Sequence, residues 1–131
     1  MPGWMRFGDE VLDIVVTEMG ANPEKISLAH SDPSGKDFDY QKRLLDRGVF
    51  IEFDMIAQDI SFPKEGIGPS VFETVENVYN LIKQGYENQI VLSHDVFLKQ
   101  MWTKNGGNVF IFVPTVFVSL LMQKGVSEST I

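Results

Sequence analysis

Three short apolar runs in this chain each end in an ionisable residue: "KISLAH" (25–30), "VFIEFD" (49–54) and "QIVLSHD" (89–95). Before each run lies a stretch with apolar residues at helical spacing, closed by a glycine. Leu12, Val15, Val16 and Met19 precede Gly20; Tyr40, Leu44 and Leu45 precede Gly48; Phe72, Val75, Val78, Tyr79 and Ile82 precede Gly85. Glycine suits these places because the residue after a last helical turn commonly turns left-handed. Helix, glycine, strand and loop, three times over, predicts an α/β fold with a parallel sheet. The strands are nearly continuous apolar runs, which predicts cover on both sheet faces. A fourth helix is expected after the loop containing Asn105, Gly106 and Gly107, ending at Gly125.

In open and closed parallel α/β folds, ligands gather beyond the carboxyl ends of the strands. His30, Asp54 and Asp95 all stand at such ends. The plainer reading of any one of them is a helix cap or a satisfied turn; agreement among three strand ends favours a site. Asp32 and Asp37 read as loop and cap residues, because "SDPSG" is strong turn chemistry. Asp9, Glu10, Lys42, Arg43 and Glu76 read as solvated helix faces, and Met55 and Met101 as packing.

The length of 131 residues fits one domain, 1–131, able to bury a core. A net charge of −7 argues against a nucleic-acid backbone or an anionic membrane as partner. With no cysteine, a metal would be held by nitrogen and oxygen donors, and a cytoplasmic location is expected. "MPGWMRFGDE" has neither the basic start nor the apolar run of a signal peptide. The longest apolar stretch, "VFIFVPTVFVSLLM" (109–122), is interrupted by Pro114 and too short to span a bilayer. It reads as a buried segment turning into a helix, with a partner-binding patch as the alternative.

"AHSD", "RGVFIEFD", "KQGYENQIVLSHD" and "NGG", followed by "VP…LLMQKGVSE", in this order and spacing, resemble the carboxyl-terminal part of the phosphotriesterase family, in the amidohydrolase superfamily. The resemblance covers nearly the whole chain. It implies a partial (β/α)8 barrel, about the last three strands with their helices. It implies a zinc-dependent hydrolase of phosphotriesters, lactones or carboxyl esters, with two divalent metal ions in the complete enzyme. On that pattern His30 is the metal-binding histidine after strand six. Asp95 is the strand-eight aspartate that binds the other metal and takes a proton from the bridging water. His94 need not be a ligand.

Other parts of the family pattern are missing. Two histidines of strand one and the strand-four lysine have no counterpart. Met1, in "MPGW", stands where a strand-five histidine is expected, and Pro33 and Met55 stand where some members carry a proton-relay aspartate and histidine. Catalytic zinc usually takes three protein ligands, so the chain alone is expected to bind metal poorly and to be inactive. The resemblance implies a small ester or lactone substrate, and either a complementing amino-terminal fragment or homo-oligomerisation through open sheet edges. A non-catalytic α/β interaction module is the second reading, and a small doubly wound binding domain the third. The lack of a glycine-rich phosphate loop after any strand counts against nucleotide binding. Substrate choice is expected to rest on the loops 55–70 and 96–110, where Met55, Ile56, Phe97, Met101 and Trp102 line a pocket or cover core.

Overall fold

A computed structural model describes residues 6–58, 61–62, 66–108 and 110–131. Helix α1 (Gly8–Leu12) runs into a π-helical turn (Asp13–Glu18). Strand β1 (Ser27–Leu28), helix α2 (Phe38–Asp46) and strand β2 (Phe50–Phe53) follow. A short antiparallel hairpin, β3 (Ser61–Phe62) with β4 (Gly66–Ile67), leads into helix α3 (Val71–Lys83) and strand β5 (Ile90–Leu92). A second π-helical turn (Val113–Phe117) opens the last helix, α4 (Val118–Gln123). Strands β1, β2 and β5 form one parallel sheet in that order, with Ser27 beside Phe50, Ile51 beside Ile90 and Glu52 beside Val91.

Helix positions follow from local chemistry. Asp37 accepts the Tyr40 N–H at 3.1 Å and starts α2, as the turn-and-cap reading expects. Ser70 and Glu73 form a reciprocal capping box at the head of α3. Gly48 and Gly85, at φ 85° and 90°, make the left-handed turns that return each helix to the sheet.

The period-two alternation of the strands sorts their side chains onto two faces. Leu28, Ile51 and Phe53 face the helices and are buried with Leu44 and Leu45 of α2, Val75, Val78 and Leu81 of α3, and Phe117 and Leu121 beyond β5. Each such apolar side chain stabilises the fold by roughly 1.5–3 kcal/mol relative to exposure. The opposite face carries Ser27, Glu52 and Val91, with Ser27 exposed, Glu52 half-buried and Val91 39% exposed. This corrects the expectation that both sheet faces are covered. Among the described residues, the strand positions that reach full burial are the helix-facing Leu28, Ile51 and Phe53, while Ile90 and Leu92 of β5 are half-buried.

Other differences have local causes. In the π-helical turn Met19 N–H donates to Ile14 O, five residues back, and the wider turn rotates the stripe: Leu12 is buried but Met19 is 74% exposed. Phe72 lies on the outer side of α3, exposed, while Leu81 takes the core place. In the 109–122 segment Val113, Phe117 and Leu121 are buried at four-residue spacing, whereas Phe110, Ile111 and Val116 are exposed. The segment is half core, half surface. Met1 and Val109 lie outside the described residues. Among the described residues no helix is long and apolar enough to cross a membrane.

Candidate functional site

Strand β1 ends with an abrupt change of backbone. His30 has φ 57°, in the left-handed region that a non-glycine residue enters at a cost of about 1–2 kcal/mol. The Ser31 N–H still donates to Glu52 O at 2.9 Å, so pairing with β2 resumes beyond it. At the end of β5, the Ser93 N–H donates to Phe53 O at 2.9 Å, and two residues on Asp95 has φ 42°. Both residues picked out by the sequence thus turn sharply at the same rim.

The two turns bring three side chains together. His30 Nδ1 lies 3.0 Å from Asp54 Oδ1 and 4.0 Å from Asp95 Oδ2. The Asp54 carboxylate also accepts the His30 main-chain N–H, at 3.0 and 3.2 Å to its two oxygens. An ionised carboxylate only accepts, so Nδ1 carries a ring proton, and Nε2 is the ring nitrogen turned away from Asp54. Burial pushes the Asp54 carboxyl above its ordinary pKa, while the His30 imidazole and main-chain N–H pull it back. The Asp95 carboxylate is about one-third exposed.

Asp32 departs from its reading as a plain loop residue. It sits in a 3-10 turn (Asp32–Ser34), yet it is 2% exposed, and its Oδ2 accepts the Met55 N–H at 3.2 Å. Burial, with the neighbouring Asp54 charge adding to it, pushes its pKa up to about 7. Strands β1 and β2 are therefore stapled reciprocally at the rim: Asp54 takes an N–H from the first, Asp32 an N–H from the second. Met55 itself is buried, as its packing role requires.

Sequence reasoning placed Asp54 at a strand end but gave it no task. Its signal was the shared position with His30 and Asp95. In the sequence Asp32 reads as a loop residue and Gln58 is not singled out, since only the fold shows that their side chains are buried against the rim. His94, beside Asp95, turns inward: it is 8% exposed and its Nε2 accepts the Val113 N–H at 2.9 Å, so its proton is on Nδ1. Burial lowers its pKa, and it serves the junction with the last helix. Ile56 is core, whereas Phe97 and Trp102 are 54% and 45% exposed. A groove of about 680 Å³ between Asp32, Phe38, Pro69, Asn77 and Lys83 lies on the helix side and is lined by neither His30 nor Asp95.

The donors that meet at the rim are an imidazole nitrogen and a carboxylate, both of the type that holds zinc. Among the described residues, no group of three or more histidines, aspartates or glutamates is arranged to hold a metal ion. The donor chemistry fits a divalent metal, but the set is short of the usual three ligands.

Comparison with known proteins agrees with this geometry. The chain is 40% identical to a resiniferatoxin-binding protein from Rhodobacter sphaeroides, with a TM-score of 0.94 over 99% of this chain and 36% of that one. The phosphotriesterase homology protein from Escherichia coli, solved with phosphate in its active site, shares the fold at 23% identity and a TM-score of 0.81, over 95% of this chain and 40% of that one. N-acetyltaurine hydrolase from Dictyostelium discoideum is 28% identical over 89% of this chain and 32% of its own length. A phosphotriesterase-related protein from Nematostella vectensis is 22% identical over 99% of this chain and 38% of its own. The chain thus spans about a third of the length of the curated relatives it matches. Its sheet and helices are the corresponding arc of a (β/α)8 barrel. The phosphotriesterase family pattern matches residues 5–131, and the chain belongs to that family.

Proposed function

We propose that this chain supplies part of the active site of a metal-dependent hydrolase of ester-type bonds, and that His30 and Asp95 are metal ligands. The observation that carries the reading is the convergence of the His30 ring and the Asp95 carboxylate, 4.0 Å apart, from two left-handed rim turns. Residues 1–131 form one unit of that barrel, its last three strands with their helices. The remaining ligands come from the rest of the barrel, on the same polypeptide or a partner chain.

A divalent metal such as zinc, held in part by His30 and Asp95, would supply a Lewis acid able to activate water near neutrality. The chain's own residues prepare that chemistry. Asp54 holds the His30 tautomer that presents Nε2, the usual arrangement for a ligating histidine. Asp95 stands where it can take the water's proton and hold it. The rim beyond the carboxyl ends of the strands, where His30 and Asp95 meet, is where a small ester or lactone enters. A phosphate in the active site of the Escherichia coli protein supports a phosphoryl or acyl centre as the point of attack.

A second reading, hydrolysis of an N-acyl amide, is favoured by the likeness to N-acetyltaurine hydrolase. One experiment tests both. The chain is co-expressed with a polypeptide carrying strands one to five of a family barrel, then assayed for zinc and for hydrolysis of a phosphotriester, a lactone, a carboxyl ester and an N-acyl taurine. Zinc retention with turnover of at least one substrate, lost in His30→Asn and Asp95→Asn, is expected. Equal zinc in the complex and in the double variant contradicts the proposal.

A further inference from the structure

The loop after β2 reaches across the rim to the loop after β5. Met55 to Gln58 form a tight turn in which the Gln58 N–H donates to Met55 O at 3.1 Å. Its third residue, Ala57, has φ 64°, a place normally given to glycine in this turn type. The turn delivers the Gln58 side chain, 5% exposed, beneath the end of β5. There its Nε2 donates to two successive carbonyls, His94 O at 2.8 Å and Asp95 O at 2.9 Å.

Successive carbonyls of an extended strand point to opposite sides, so one nitrogen cannot reach both. They converge here because the chain reverses at Asp95, at φ 42°. The same reversal turns the Asp95 carboxylate towards His30. Gln58 meets the convergent carbonyls with the one neutral group that offers two N–H donors from a single atom. The amide cannot be reversed, because Oε1 would then face two carbonyl oxygens. As oriented, Oε1 is buried and finds no hydrogen-bond partner among the described residues, an arrangement that costs stability. A residue selected for packing alone would not keep that cost.

We infer that Gln58 is a positioning residue: its amide clamps the His94 and Asp95 carbonyls and so holds Asp95 left-handed, with its carboxylate facing His30. The clamp stands on the geometry; only its consequence for metal binding rests on the function proposed above.

The test measures the Asp95 backbone torsion by magic-angle-spinning NMR on labelled protein, which works whatever the oligomeric state. Gln58→Met keeps the volume and removes both donors; Gln58→Glu keeps the shape and turns a donor into an acceptor. Asp95 is expected to leave positive φ in Gln58→Met. In Gln58→Glu it is expected to do so at pH 8 and to return in part at pH 4, where the protonated carboxyl regains one O–H donor in place of two N–H donors. That acid rescue is a signature that mere loss of packing does not produce. A folded Gln58→Met with Asp95 still at positive φ overturns the inference. If that variant does not fold, the pH pair of Gln58→Glu decides, and a torsion insensitive to pH overturns it. In the reassembled barrel, Gln58→Met is expected to weaken zinc binding about tenfold. A changed torsion with unchanged zinc affinity upholds the clamp and contradicts the assignment of Asp95 as a metal ligand.

Discussion

The Asp54 carboxylate binds His30 twice, once through the ring Nδ1 at 3.0 Å and once through the main-chain N–H. One group therefore fixes both the left-handed backbone of His30 and the tautomer of its ring. Both bonds fall on the same oxygen, Oδ1, so Asp54→Asn keeps the acceptor but loses the charge, and Asp54→Ala keeps neither. In the reassembled barrel the expected loss of zinc affinity is about 10-fold to 100-fold, larger for alanine, read by competition with a chelating dye. Equal affinity in all three proteins contradicts the role.

Asp32 makes stability depend on pH in an unusual direction. Its carboxyl keeps a proton up to about pH 7 in the folded chain but releases it near 3.8 when unfolded. Between those values the folded state binds more protons, so this group's contribution falls as pH rises and is fully lost above about 7. The span corresponds to about 4 kcal/mol at most. Asp32→Asn is expected to be the more stable protein at pH 8 and to show a smaller fall in Tm between pH 5 and 8, measured without metal. Parallel Tm curves would refute the assignment. His94 acts oppositely: its lowered pKa removes stability as pH falls through and below 6.5. Because His94 is present in both proteins, the comparison cancels its effect and leaves Asp32 with its coupling to Asp54.

A buried amide relay secures the β1 exit. Gln41 Nε2 donates to Ser31 O at 2.8 Å and Ser34 Oγ at 2.7 Å, and Asn77 Nδ2 donates to Gln41 Oε1 at 2.7 Å. Gln41→Leu leaves the Asn77 amide and the Ser31 carbonyl without these partners, at a cost of about 2 kcal/mol or more. Gly35→Ala is expected to be destabilising too, since an added Cβ would stand 2.8 Å from Asn77 Nδ2. Urea unfolding midpoints of the two variants check this; midpoints equal to the parent's would disprove it.

Strands β1 and β5 are the outer strands of the sheet, and Val91 on β5 is exposed on its concave face. An unprotected edge invites pairing with another chain. The chain alone is expected to elute well above its 14.8 kDa mass, with Val91→Lys moving it towards monomer, as measured by light scattering on a sizing column. A monodisperse parent at 14.8 kDa would contradict this.

The parts of this fold that were legible in the sequence are those fixed by short-range chemistry. Helices α2 and α3, their glycine stops and the three strand ends follow from spacing and composition. The burial of Asp32 and Gln58 did not, because it depends on two rim loops meeting from different strands. The exposure of Met19 escaped too, since a π-helical turn keeps the residue types of an α-helix while changing their direction. His30 and Asp95 could be named from strand ends and family pattern, but their left-handed backbones, which aim them at each other, leave no mark in residue type.

The most direct measurement is zinc-edge anomalous diffraction from crystals of the chain reassembled with strands one to five. Two zinc ions are expected, one about 2.0–2.2 Å from His30 Nε2 and the other about 2.0–2.2 Å from an Asp95 carboxylate oxygen, with His30 Nδ1 still on Asp54. Zinc bound elsewhere, or His30 and Asp95 both free of metal at full occupancy, would contradict this.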